Sequence, residues 1–368
     1  MRLALPLLLA FLAAPAFAGT PVGTALPLHI GGRVVAVSAD DTAQGYRHQW
    51  PGTYFEARFK GTEVHLRLND EVNRFNVYVD GQLVNTPSRP GEGDILLGPF
   101  APGEHTIRAE KLSESFDAAQ FTGFFVADPA NVLPAPEALP REIEFIGDSY
   151  TVGYGNTSPT RTCPGDQVWA TTNTQLAFGP LSAKHFNADY RINAISGRGV
   201  VRNYNGGDGL HLPQAYPNAV SVSAPGLSLT ASPVADDWRP QIIVIGLGTN
   251  DFSTPLHGGE VWTTRDELHS DFEQTYVQFV QDLRAKNPQA FFILMATDQA
   301  NGEIQSEVKK VLATLRAAGE SRIDFLPMNG LAFSGCDWHP STADDAQVAS
   351  SLIAYIDAHP DLWNKKTE

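Results

Sequence analysis

Between Ala25 and Val126 apolar residues recur at every second position, in short runs separated by turn residues. In EVHLRL, Val64, Leu66 and Leu68 take one side of an extended chain, while Glu63, His65 and Arg67 take the other. In RFNVYVDGQLV, Phe75, Val77 and Val79 share a face, and Asp80-Gly81 is a favoured two-residue hairpin turn. DILLGPF, EHTIRAEKL and FTGFFVAD continue the series. A period of two with one apolar face predicts half-buried antiparallel strands, and their number predicts an all-β jelly-roll sandwich over residues 19–128. PANVLPAPEALP follows. Pro129, Pro134, Pro136 and Pro140 fix φ and lack amide donors, so residues 129–140 read as a stiff extended linker and the domain boundary.

Beyond the linker the period changes. Apolar runs at Ile143–Ile146, Tyr190–Ile195, Gln241–Leu247, Phe291–Ala296 and Ile323–Leu326 predict strands. Helical patterns fall between them, near Thr171–His185, Thr264–Lys286, Glu303–Ala318 and Thr342–Ala358. In the second, Leu268, Phe272, Tyr276, Phe279 and Leu283 follow at three-to-four spacing and mark one buried face. Strands alternating with helices imply a parallel sheet with helices on both faces, so residues 141–368 read as an α/β domain.

The first twenty residues, MRLALPLLLAFLAAPAFAGT, break this pattern. Arg2, an apolar stretch from Leu3 to Ala13, and Ala16-Phe17-Ala18 before Gly19 form a secretory signal peptide over residues 1–18. Its apolar core is too short for a membrane span, so the expectation is a secreted or periplasmic protein with no membrane partner. A hydrophobic fraction of 42% over about 350 remaining residues suffices for two cores. The formal charge of −15 repels phosphate backbones, which excludes nucleic acid as a partner and leaves neutral substrates such as polysaccharides open. Two cysteines, Cys163 and Cys336, invite one disulfide in an oxidising compartment, with two buried thiols as the alternative. Closing so long a loop contributes on the order of 5 kcal/mol in the chain-entropy treatment. Neither their number nor their spacing suggests a metal site, and no cofactor is implied.

Open α/β sheets bind ligands beyond the carboxyl ends of their strands, so the residues after each strand carry the chemistry. The first strand ends in Gly147-Asp148-Ser149, the second in Ser196-Gly197-Arg198-Gly199, and the third in Gly248-Thr249-Asn250-Asp251. GCDWHPS sets Asp337 and His339 just before the last helix. Acyl transfer needs a serine, an imidazole to take its proton, a group to orient that imidazole, and preorganised donors for the oxyanion. Ser149, His339 and Asp337 supply the first three. Ser149 N–H, Gly197 N–H and the Asn250 amide supply the oxyanion hole, with Gly199 as the alternative glycine. Asp148 reads as a turn acceptor or helix cap, and Asp251 as a supporting residue. Tyr150 and Trp338 are substrate-binding candidates, with Trp169, Phe252 and Trp262 as further platforms. Asn156-Thr157-Ser158 matches a glycosylation sequon, but a glycan there would obstruct Ser149.

Gly147-Asp148-Ser149, Gly197, Gly248-Thr249-Asn250-Asp251 and Asp337-Trp338-His339-Pro340 resemble the four sequence blocks of the SGNH (GDSL-type) hydrolases. HQWPGTYFEARFKGTEVHLRL and the GDSYT form of the first block resemble carbohydrate esterase family 2, the acetyl xylan esterase-like group, over nearly the whole mature chain. The resemblance implies a jelly roll followed by an SGNH-hydrolase domain with a flavodoxin-like parallel sheet. It implies a serine esterase, without metal, that removes O-acetyl groups from xylan and related polysaccharides. In the wider superfamily aspartate stands three residues before the histidine; Cys336 occupies that place here and Asp337 follows it. Some members of the esterase family orient the histidine through a backbone carbonyl instead, so both arrangements stay open. If Cys163 and Cys336 are joined, the bridge ties the loop after the serine to the histidine loop. The other readings are a lipid esterase, lysophospholipase or thioesterase on the same fold, cell-wall glycan deacetylation, and a non-catalytic glycan-binding protein.

Overall fold

The computed structural model describes residues 23–37, 45–220, 232–233 and 238–363, so the signal segment expected at 1–18 lies outside the described residues. The first domain has eleven strands: β1 (Thr24–Ala25), β2 (His29–Gly31), β3 (Val34–Ala36), β4 (Tyr46–His48), β5 (Tyr54–Gly61), β6 (Val64–Asp70), β7 (Phe75–Val79), β8 (Gln82–Asn85), β9 (Gly91–Leu97), β10 (Gly103–Lys111) and β11 (Ala119–Val126). One sheet runs β3-β4-β11-β6-β9, with β1 also on β11, and the other runs β2-β5-β10-β7-β8. Taken as eight consecutive strands from β4 to β11, the orders β4-β11-β6-β9 and β5-β10-β7-β8 are those of a jelly roll. The alternation read from the sequence fills its interior. Leu66, Phe75, Val77, Ile107 and Phe124 are buried between the sheets, and the Phe55 and Phe121 rings stack at 3.8 Å. Asp80 and Gly81 both adopt positive φ, 47° and 77°, as a two-residue turn between β7 and β8 demands.

The second domain contains the parallel strands β12 (Arg141–Gly147), β13 (Ala188–Ala194), β16 (Ile242–Gly246), β17 (Phe291–Thr297) and β18 (Ile323–Met328). A small antiparallel pair, β14 (Asn218–Val220) and β15 (Ser232–Pro233), intervenes. The helices are α1 (Ser149–Val152), α2 (Gln167–Thr171), α3 (Phe178–His185), α4 (Leu212–Ala215), α5 (Thr249–Phe252), α6 (Arg265–Lys286), α7 (Glu303–Ala317) and α8 (Thr342–Asp357). The sheet order β13-β12-β16-β17-β18 is the flavodoxin-like order, second, first, third, fourth, fifth. Both faces are apolar because both are covered. Ile243, Ile245 and Leu294 pack on Phe272 and Tyr276 of α6, whereas Ile242, Val244 and Ile293 pack toward Phe178 of α3 and Leu352 of α8. The single helix expected near Thr171–His185 is instead α2, a short 3-10 turn and α3. Thr172, Asn173 and Ala177 are extended, the Asn173 side chain caps the turn, and the Phe178 amide is held by Asp345, so the helix restarts only there. No helix among the described residues is long and apolar enough to cross a membrane.

The jelly roll packs against β13, an edge strand that would otherwise expose its backbone, and all seven β13 residues are buried. Asp189 of β13 accepts hydrogen bonds from His29 at 2.9 Å and from the Tyr54 hydroxyl at 2.5 Å. Arg108 of β10 pairs with Glu56 and Glu110, lies 3.6 Å over the Tyr54 ring, and donates to the Tyr190 hydroxyl. Arg33 reaches Glu144 of β12 at 2.9 Å, and Glu144 also accepts from Asn193 and Tyr216. This charged, hydrogen-bonded seam brings the β10–β11 connection to the carboxyl end of β13.

Candidate active site

In a flavodoxin-like sheet the crevice lies where the chain reverses direction, between the first and third strands. Here those are β12 and β16, which end at Gly147 and Gly246. Ser149 opens α1 directly after β12. Asp148 caps that helix by accepting the Tyr150 N–H at 3.0 Å, and Gly153, at φ 76°, ends it after one turn. The one-turn helix presents the hydroxyl of Ser149 at the rim together with its N–H, which has no partner among the described residues.

Ser149 Oγ lies 2.9 Å from His339 Nε2. On the other side of the ring, Nδ1 faces the carbonyl oxygens of Cys336 and Asp337 at 3.0 and 3.2 Å. Two carbonyls can only accept, so Nδ1 carries the proton and Nε2 is the acceptor for the serine hydroxyl. Burial pushes the imidazole below its ordinary value, with the two carbonyls and the Asp337 charge pulling the other way. The ring is therefore neutral and able to accept a proton near neutral pH.

The Asp337 side chain does not orient this ring. Asp337 and Trp338 take the left-handed backbone, φ 49° and 62°, which turns their carbonyls and side chains apart. The Asp337 carboxylate accepts the Tyr154 hydroxyl at 3.1 Å, and the Tyr154 ring packs on His339 with centroids 4.2 Å apart. Of the two arrangements the sequence left open, the geometry is that of main-chain carbonyls, those of Cys336 and Asp337, facing Nδ1 in place of the Asp337 carboxylate.

Between Ile195 and Arg202, in the loop after β13, one backbone donor is unused among the described residues. Ile195 N–H bonds to the Gly147 carbonyl, Ser196 N–H to Glu114, Arg198 N–H to the Ile195 carbonyl and Gly199 N–H to Asn203. The N–H groups of Val200, Val201 and Arg202 converge on the Asp251 carboxylate at 2.9–3.1 Å. Among the described residues the Gly197 N–H has no partner in the structure, which separates it from Gly199. Gly199 is a packing residue, because a Cβ there would meet the Arg202 carbonyl oxygen at 2.1 Å. Asn250, in α5, gives one amide hydrogen to the Arg198 carbonyl at 2.9 Å and has only a long contact, 3.4 Å, from its nitrogen to Asp148. Burial lifts Asp148 to about 7 and Asp251 to about 6, the charge of Asp251 adding to the rise at Asp148.

Cys163 and Cys336 form a disulfide. Gly155 makes room for it: at φ 55° its absent Cβ would meet Cys336 Cβ at 2.3 Å. Cys336 N–H bonds to the Gly155 carbonyl, Asp337 N–H to that of Arg161, and the Arg161 guanidinium to the carbonyls of Phe333 and Ala332. The serine loop and the histidine loop are thereby laced into one unit.

Residues 145–361 match the GDSL-like Lipase/Acylhydrolase family, and residues 30–136 match the family described as Carbohydrate esterase 2 N-terminal. An acetylxylan esterase / glucomannan deacetylase of Cellvibrio japonicus is 45% identical over 340 residues, 92% of each chain. The chain belongs to carbohydrate esterase family 2. A solved structure described as a carbohydrate esterase whose active site "displays divergent catalytic and non-catalytic binding functions" is 44% identical, with a TM-score of 0.84 over 93% of this chain and 100% of that one. A family 2 esterase from Clostridium thermocellum, solved with cellohexaose, is 26% identical, with a TM-score of 0.78 over 91% and 99% of the two chains. The protein is accordingly a carboxylic ester hydrolase acting on carbohydrate.

The five aromatic candidates of this family 2 esterase lie in different surroundings. Trp338, next to His339 in the chain, is 62% exposed, with Arg161 3.8 Å over its ring. Tyr150 is buried; its ring meets His339 and Phe333 and its hydroxyl donates to Gln299 at 2.8 Å, so it walls the site and offers no open face. Phe252 lies in the core against Phe272. Trp169 is stapled to the jelly roll between Arg89 and Arg74, its indole N–H on the Val72 carbonyl. Trp262 lines a cleft of about 470 Å³ with Arg202, Asn203, His211 and Asp271, which touches the loop after β13 but holds neither Ser149 nor His339. Sequence reasoning missed Tyr154, Glu114 and Tyr204. Tyr204 is 58% exposed, and its N–H holds the Gly197 carbonyl. Asn156 is buried on Asn173 and Asp345, which removes the sequon from the surface. Among the described residues no three His, Cys, Asp or Glu side chains are grouped to hold a metal ion.

Proposed function

We propose that the protein is an exported serine esterase that removes O-acetyl groups from a neutral polysaccharide of the xylan or glucomannan type. The observation that carries the reading is the 2.9 Å contact of Ser149 Oγ with His339 Nε2, with Nδ1 held by two carbonyls. His339 takes the Ser149 proton as Oγ bonds to the acetyl carbonyl carbon. The resulting oxyanion accepts from Ser149 N–H, Gly197 N–H and the Asn250 amide. Collapse breaks the bond to the sugar oxygen, which leaves with the proton from His339. Water then attacks the acetyl-serine, His339 takes its proton and returns one to Oγ, and acetate departs. The imidazolium formed in each half is stabilised by carbonyl dipoles, a weaker partner than a carboxylate but one that keeps the same tautomer.

Three features favour a polysaccharide over a lipid. Trp338 and Tyr204 expose flat rings suited to sugar faces. The acidic surface disfavours anionic lipid. The relative at 45% identity is an acetylxylan esterase / glucomannan deacetylase. The signal peptide at residues 1–18 supports export to the periplasm or the medium.

The test is acetate release from acetylated xylan and acetylated glucomannan by the mature chain and by Ser149→Ala. The reading expects release that the variant loses by several orders of magnitude. No release from either polymer, with better turnover of longer acyl esters, would overturn the substrate class.

A further inference from the structure

One side chain of the jelly roll reaches the loop that carries Gly197. Glu114 sits in the β10–β11 connection, and its Oε1 accepts the Ser196 N–H at 2.7 Å, across the domain boundary. Ser196 immediately precedes Gly197, whose N–H is the one donor between Ile195 and Arg202 left without a partner among the described residues. The peptide carrying that N–H is clamped on both sides: Glu114 holds Ser196 N–H before it, and Tyr204 N–H holds the Gly197 carbonyl after it at 2.9 Å. At φ 78°, and with open space where a Cβ would stand, Gly197 has little of its own to fix its direction.

The connection that carries Glu114 is itself tied down. Leu112 N–H bonds to the Arg74 carbonyl, and the Leu112 carbonyl accepts Thr174 N–H from the second domain, both at 2.9 Å. Ser113 Oγ bonds Asn73, the buried Lys111 ammonium reaches Ser115 Oγ at 3.0 Å, and Gln49 donates to the Phe116 carbonyl. Burial raises the Glu114 carboxyl, while Ser196, Lys111 and Arg198 favour its charged form.

We propose that Glu114 is a positioning residue of the esterase reaction: it aims the Gly197 N–H at the oxyanion, so the jelly roll completes the oxyanion hole. The proposal rests on the assignment of Gly197 to that hole. Glu114 touches Ser196 and not the reacting atoms, so its effect belongs in kcat and not in substrate affinity. The contact, more than the charge, is what the loop requires, since a neutral oxygen at the same place accepts the same hydrogen.

Two substitutions separate contact from charge in the full mature chain, assayed on acetylated xylan beside Ser149→Ala. Glu114→Gln keeps an acceptor at the same reach and removes the charge. Glu114→Asp keeps the charge and withdraws it by one methylene. Displacing an oxyanion donor by a fraction of an ångström to one ångström lowers turnover by about 10- to 100-fold. The expected result is a kcat loss of that size in Glu114→Asp, with KM within about twofold and the acidic limb of the pH profile unmoved, and a Glu114→Gln enzyme within about threefold of wild type. Should the aspartate variant fail to fold, Glu114→Ala is read the same way. Full activity in both variants, a loss confined to KM, or a glutamine variant as poor as the aspartate one overturns the proposal. If wild type is no faster than Ser149→Ala, the esterase reading beneath it falls as well; a fast wild type with unaffected Glu114 variants removes this inference alone.

Discussion

His339 is half-buried, and that burial sets the protonation state on which the reaction depends. The imidazole lies below its usual value near 6.5, because desolvation outweighs two carbonyl acceptors and a nearby aspartate. A base must be neutral to act, so lowering its pKa widens the active range toward acid. The rate against pH for a soluble acetyl ester should rise along a limb below 6.5 and be level through neutrality; a limb centred at 7 or above would contradict the assignment. Ser149 and His339 were legible in the sequence because each stands at a strand end or helix start where only a few residue types occur together. Asp337 was not. Its spacing to His339 is two residues, but whether side chain or carbonyl faces the ring depends on a positive φ that spacing does not encode. Tyr150 misled for a similar reason: adjacency to the serine says nothing about which way a ring turns once α1 begins.

At the scale of elements, the disulfide and the hydrogen bonds around it hold two loops that approach from 173 residues apart in sequence. Cys336 is both a half of the bridge and the residue whose carbonyl holds His339. Reducing the bridge, or replacing both cysteines by serine, should therefore lower the melting temperature and the turnover together. The stability loss should approach the order of 5 kcal/mol expected for so long a closed loop. Thermal melts with and without reductant, each paired with an activity assay, check this; a stability loss with untouched kcat would separate the bridge from the histidine. The strands of both domains were readable because their apolar periods, two in the jelly roll and continuous in the parallel sheet, follow directly from how many faces are buried. The break between α2 and α3 was not, because it depends on Asp345 of α8 capturing the Phe178 amide, a contact between elements far apart in the chain.

The whole molecule keeps several carboxyl groups in places that disfavour charge. Asp345 is raised to about 8 and Asp148 to about 7, chiefly by burial. A carboxyl whose folded value lies above its unfolded one holds its proton in the folded state after the unfolded chain has released it. Folding is then weakened as pH rises toward the folded value. His48, His211 and His339 are lowered, but above 6.5 they are neutral in both states and no longer contribute to the slope. The buried Lys111, lowered to about 8, opposes the trend only beyond that pH. Between pH 6.5 and 8 the melting temperature should fall, and Asp345→Asn should flatten the slope; a rise over this range in the wild type would contradict the burial of these groups. The jelly roll belongs to the same picture. Its sandwich was plain in the alternating strands, but its seam with β13 and the reach of Glu114 come from folding two separately patterned halves against each other, which no local pattern reports.

The central claim is that backbone carbonyls, and not the Asp337 carboxylate, hold the histidine that activates Ser149. Acetate release from acetylated xylan by Asp337→Asn, set beside His339→Ala, tests it most directly, since asparagine tolerates the left-handed backbone at that position. The account predicts that His339→Ala loses several orders of magnitude in kcat while Asp337→Asn stays within about tenfold of wild type. An Asp337→Asn enzyme as inactive as His339→Ala would mean that the carboxylate carries the role assigned here to the carbonyls.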